Sequence, residues 1–142
     1  MPIHSAGYNY SPNAQQADWR EMLRDLGSAI SGNRSPFLDA HHPLGVTAEI
    51  KGVGNIGHWF VVILSHDEHE LIASDIGKFR ELVYLYNKST VTRWHESIWE
   101  MSKLEIEKML FFQQLQRLIM RGQALEISCP GDVLLEIARY RK

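Results

Sequence analysis

One cysteine, Cys129, is all the thiol the sequence contains, which excludes an internal disulfide and any cysteine-rich zinc site. The first ten residues hold neither Lys nor Arg and no apolar run, so both parts of a secretory signal are missing there. Long apolar runs are absent throughout. The longest, Trp59 to Leu64, falls far short of the roughly 20 residues a membrane-spanning helix needs. No low-complexity tract, no internal repeat, no G-x-S-x-G elbow and no P-loop occurs. A cytoplasmic location away from membranes is therefore the expectation.

What is present is ordinary for a folded domain. The 142 residues are 44% hydrophobic and 23% charged, enough apolar mass for one core and too much for a disordered chain. Net charge is −2, with −4 in residues 1–74 and +2 in residues 75–142. That balance names no partner, although the basic residues gather in the second half.

Hydrophobic spacing gives the elements. Residues 1–11, with Tyr8 and Tyr10, read as an irregular arm. Ser11-Pro12 then suits a helix start, and Trp19, Met22, Leu23, Leu26 and Ile30 share a helical face over about residues 12–31, with Gly32-Asn33 as the stop. Residues 32–45, including His41-His42, have the composition of a loop. Val46–Lys51 and His58–Leu64 read as strands joined by a glycine-rich hairpin, followed by a polar turn at Ser65–Glu70 and a short strand at Leu71–Ala73. Residues 75–96 admit two readings: a helix capped by Asp75, or a hairpin over about residues 80–95, which their β-branched and aromatic content favours. Ser97…Glu100 and Ser102…Glu105 are capping boxes opening a long helix near residues 97–121. Ala124–Ser128 reads as a strand, and residues 132–141 as a helix, with a strand as the alternative. The fold expected is thus a single α+β domain spanning 1–142: an antiparallel sheet of four to six strands packed against the first helix and the long helix.

Several residue groups invite chemistry. Gly52-Val53-Gly54-Asn55-Ile56-Gly57 is formally a dinucleotide fingerprint, but such a loop must open a helix, whereas this one opens a β-rich run; hairpin glycines are the better reading. His66-Asp67-Glu68-His69-Glu70 is the densest set of acid–base side chains, yet its spacing misses the zinc-protease pattern, so a solvated turn is the reading adopted and no metal or cofactor is expected. His41 and His42 are neighbours whose side chains point apart in extended chain. Cys129 has no base beside it in the sequence and reads as a buried structural thiol. Trp19 and Trp59 fit core stripes, while Trp94 and Trp99 flank the entry to the long helix and are the pair expected to be exposed.

With every catalytic template failing, the functional expectation is a non-enzymatic module that binds another protein, an inhibitor or immunity-type antagonist being the concrete example. Its contact residues are expected among His66, Asp67, Glu68, His69, Glu70, Trp94 and Trp99, the carboxylates steering a basic partner. A small enzyme with a histidine/carboxylate site, metal-assisted or not, is the alternative. A nucleic-acid module using strands in residues 78–95, where Lys78, Arg80, Lys88 and Arg93 interleave with Tyr84, Tyr86 and Trp94, is the second alternative.

Overall fold

The computed structural model describes residues 11–141, and within these the side chains of Glu126 and Ile127 are left aside. The arm expected at residues 1–10 lies outside the described residues. Helices dominate: α1 (Ala14–Arg24), α2 (His66–Ser74), α3 (Ile76–Tyr86), α4 (Lys88–Trp94), α5 (Lys103–Met120), α6 (Leu125–Ser128) and α7 (Gly131–Arg139), with a 3-10 turn at Ile98–Glu100. Four short strands, β1 (Leu38–His41), β2 (Glu49–Ile50), β3 (Gly54–Asn55) and β4 (Val62–Ser65), form two antiparallel pairs, β1–β4 and β2–β3. The fold is mixed helix and strand, but the four-to-six-stranded sheet expected from the sequence is not there.

The reason lies along β4. Val62, Ile63 and Leu64 are fully buried, and one edge of the strand pairs with β1, Leu38 opposite Ser65 and His41 opposite Val62. The backbone groups facing the other way are satisfied by single side chains and a turn. Gln114 of α5 accepts from the Ile63 amide at 2.9 Å and donates to the Val61 carbonyl at 2.8 Å, while the Ala29 amide donates to the Ile63 carbonyl at 2.7 Å. A buried strand must place all its polar backbone groups. Here a glutamine stands in for a further strand, so α5 can lie directly against β4.

Helix α5 is the centre of the core. Ile106, Met109, Leu110, Phe111, Leu115 and Leu118 are buried on it, and Phe111 meets Phe60 edge-on at 5.1 Å. Ser102 opens it through the capping box read from the sequence, whereas Ser97 caps only the 3-10 turn, so the long helix begins at residue 103 rather than 97. On the opposite flank Trp19 of α1 donates its indole N–H to the Trp59 carbonyl at 2.9 Å.

Other departures have local causes. Helix α1 starts at Asn13, not Ser11, because Asn13 and Gln16 satisfy each other's amides in a capping box. It ends near Asp25, not at residue 31, because Gly27 takes φ +88° where a Cβ would lie 2.6 Å from the Gly32 carbonyl oxygen. Leu26, Ala29 and Ile30 stay buried in the turn that follows. The turn expected at Ser65–Glu70 and the strand at Leu71–Ala73 are together helix α2, capped by Ser65. The hairpin favoured for residues 80–95 is α3 and α4, with Asp75 accepting from the Lys78 amide as the alternative reading had it. The expected strand at Ala124–Ser128 is the short helix α6, and residues 131–139 are helical. The hairpin expected between residues 46–51 and 58–64 does not form: Glu49–Ile50 turns back onto Gly54–Asn55 within the glycine-rich stretch, β4 pairs with β1 instead, and Gly57 packs where a Cβ would collide with the Gly45 carbonyl oxygen. Among the described residues, no helix is long and apolar enough to cross a membrane.

Candidate functional site

Side chains two apart on a strand share a face, and β1 thereby presents Asp39 and His41 together. Helix α2 starts directly after β4, the partner of β1, and places His66 and His69, one turn apart, over the same region. The result is a continuous polar chain. His66 Nδ1 and His69 Nδ1 each lie 3.0 Å from Asp39 Oδ2, and His66 Nε2 is 3.4 Å from Glu70. His69 Nε2 lies 3.2 Å from His41 Nδ1, and His41 Nε2 lies 2.6 Å from Glu107 Oε2. Lys103, one turn before Glu107 on α5, donates to the same oxygen at 2.9 Å.

The chain runs from surface to core. The His66 side chain is 63% exposed, His69 38%, His41 12% and Glu107 2%. Ionised carboxylates only accept hydrogen bonds, so the nitrogens touching Asp39 and Glu107 carry the hydrogens: Nδ1 of His66 and His69, and Nε2 of His41. Hydrogen bonding from His69, then from His66, holds the Asp39 carboxyl below its ordinary range against the opposing effect of burial. The Asp39 hydrogen bond and charge, followed by the charge of Glu70, raise His66.

His42 points away from His41, as neighbours on extended chain do, and its ring meets that of His58 edge-on at 5.8 Å. Burial, then the positive charge of His58, pushes His42 down to about 4. Cys129 is fully buried, and desolvation followed by the charge of Asp132 pushes its thiol up to about 12. Among the described residues no three His, Cys, Asp or Glu side chains converge on a common ion position.

A second feature lies at the other end of Lys103. A groove of about 660 Å³ is lined by Trp94, Lys103, Leu104, Lys108, Tyr140 and Arg141, together with Ser102 and Glu105. Trp94 also lines a neighbouring groove of about 450 Å³ that includes Arg93, Phe112 and Gln116. Its ring stacks on Phe112, 6.4 Å between centres and 24° between planes, yet remains 42% exposed. Trp94 is thus a ridge between two grooves. Lys108 donates to the Ala138 and Tyr140 carbonyls, and burial, then the charge of Arg141, lowers its ammonium from the usual range.

The residues singled out in the sequence divide accordingly. His66, Asp67 and Glu70 are exposed on α2, and His69 is half-buried in the chain. Glu68 turns inward, accepting from the Ser65 amide and from the Ser28 hydroxyl, each at 2.7 Å, so it fastens α2 to the body. Trp94 and Trp99 are exposed, as are Tyr84 and Tyr86 on α3; the strands that would have made a base-stacking platform of residues 78–95 are helices. Sequence reasoning took His41 for a loop histidine and did not find Asp39, Lys103, Glu107, Lys108 or Tyr140. The Asp-x-His alternation at 39–41 and the four-residue spacing of Lys103 and Glu107 are the signals that point to part of this set.

Comparison with protein-family models, with curated proteins and with solved structures gives no match to this chain.

Proposed function

We propose that this domain is a protein-binding module, and that its partner docks an acidic segment with an apolar anchor across the Trp94 ridge. The observation that carries this reading is Trp94 itself: a large aromatic ring, stacked on Phe112 and left open between two grooves. Half-exposed tryptophans next to arginine are the side chains that concentrate binding energy at interfaces. Among the charges lining the two grooves, Lys103 is paired with Glu107 and Lys108 with carbonyls, which leaves Arg93 and Arg141 against Glu105 and favours carboxylates on the partner. An inhibitor or immunity-type antagonist is the concrete form such a module takes.

The test is native mass spectrometry on protein purified gently from its own host, with wild type and Trp94→Ala side by side. A stoichiometric protein partner is expected with wild type, at least ten-fold weaker with Trp94→Ala, and displaced by an acidic peptide cut from that partner. A bare monomer, or a partner held equally well by Trp94→Ala, overturns the reading.

One observation favours a second reading, a small histidine/carboxylate enzyme. The buried Glu107 holds His41 at 2.6 Å, the arrangement in which a carboxylate orients a general base. Turnover of any ester or phosphoester substrate that disappears in His41→Gln would move the assignment there.

A further inference from the structure

The middle of the histidine chain poses a problem of hydrogens. A neutral imidazole has one N–H. His41 directs its own from Nε2 to Glu107, and His69 directs its own from Nδ1 to Asp39. The remaining nitrogens, His41 Nδ1 and His69 Nε2, then face each other 3.2 Å apart as two lone pairs. Two such acceptors at that distance call for a cation between them, either a proton or a metal ion.

The geometry departs from a linear hydrogen bond and fits the second. An in-line N–H···N bond of that length would place the ring centres about 5.5 Å apart. Two imidazoles converging on one tetrahedral ion, with metal–nitrogen bonds of about 2.0–2.1 Å, place their nitrogens about 3.3 Å apart and their ring centres about 5 Å apart. The observed ring centres are 4.9 Å apart with planes at 59°, so the rings converge rather than meet head-on.

The surroundings fit the same ligand. A metal-bound histidine usually gives its other N–H to a carboxylate, which fixes the ring and raises its donor strength. Both rings have such a partner, Glu107 for His41 and Asp39 for His69. Around the pair the carboxylates of Asp39, Glu70 and Glu107 outnumber the basic groups of Lys103 and His66, leaving negative charge for a divalent cation to offset.

We propose that His41 Nδ1 and His69 Nε2 form a two-histidine site for a divalent transition-metal ion of the zinc class. Imidazole ligands select such ions over calcium or magnesium. Because no third protein ligand converges there among the described residues, water on the open His69 side completes the coordination shell. The site is therefore an exchangeable one.

The experiment is equilibrium dialysis of tag-free protein against zinc chloride, with bound zinc counted by mass spectrometry and the fold followed by far-ultraviolet circular dichroism. One zinc per chain is expected at micromolar free zinc, with affinity at least ten-fold lower in His69→Ala. Asp39→Asn is expected to bind about 10–100-fold more weakly although both ligands remain; this variant decides the matter if His69→Ala folds poorly. His66→Ala, which removes a histidine outside the pair, is expected to stay within about two-fold of wild type. No uptake at 100-fold excess zinc, uptake unchanged in His69→Ala and Asp39→Asn, or uptake lost in His66→Ala would each overturn the proposal.

Discussion

Cys129 shows how burial decides the chemistry of one side chain. The thiolate is the reactive form, and desolvation with the nearby charge of Asp132 pushes this thiol from about 9.0 up to about 12. At pH 8 that shift alone cuts the thiolate fraction by about 1,000-fold, and the side chain is also closed to solvent. Native protein is therefore expected to resist a disulfide reagent at pH 8 over hours, whereas protein in concentrated guanidinium reacts within seconds. Prompt stoichiometric labelling of the native protein would refute this account of the thiol. The pairing of His41 with Glu107 is the opposite outcome at the same scale: a polar group goes inside because a neighbour on α5 receives its hydrogen.

At the scale of elements, α2 shows what a short side chain at a helix start is worth. Ser65 accepts from the Glu68 amide at 3.1 Å, and Glu68 returns the bond to the Ser65 amide while holding the buried Ser28 hydroxyl. Ser65→Ala removes one cap and is expected to lower stability by about 1 kcal/mol. Glu68→Ala leaves the buried Ser28 hydroxyl and the Ser65 amide without that acceptor, and is expected to cost more, about 2–3 kcal/mol. Urea unfolding of the two variants gives the order, and a larger loss for Ser65→Ala would contradict this division of roles. The same pair explains what the sequence revealed and what it hid. Ser102…Glu105 was legible because a long apolar stripe follows it. Ser65-x-x-Glu68 is the same signature, but a polar run of His, Asp and Glu follows, and composition pointed to a turn. Residues 80–95 misled in a different way: aromatic and β-branched side chains favour strands only where a sheet receives them, and the free edge of β4 is already closed by Gln114 and Ala29. The histidine chain was half legible. His66 and His69 are near neighbours in sequence, but the partners that give them meaning, His41 and Glu107, are 28 and 38 positions from His69, and only the β1–β4 pairing and the seat of α5 bring them together.

For the whole molecule, the contacts argue that these elements stand or fall together. Buried residues from α1, β1, β4, α3, α4, α5 and α7 belong to one apolar cluster, running from Trp19 to Ile137. Polar links tie distant parts of the chain across it: Trp19 to Trp59, Ser28 to Glu68, Asn87 to Ile30 and Gln114 to Ile63 of β4. Among the described residues no subset of elements keeps a separate core, so local opening of one exposes apolar surface on the next. Unfolding in urea is accordingly expected to be a single cooperative transition, as small single domains show. Two probes read different parts of the molecule. Trp19 and Trp59 are buried 40 residues apart and dominate the change in fluorescence, while α5, the longest helix described, weighs heavily in far-ultraviolet circular dichroism. Their midpoints should coincide, with a common slope of about 1–3 kcal/mol per molar urea. Midpoints that separate would mean that α1 and the Trp59 region open while α5 is still folded, and the single shared core would have to be divided into two units.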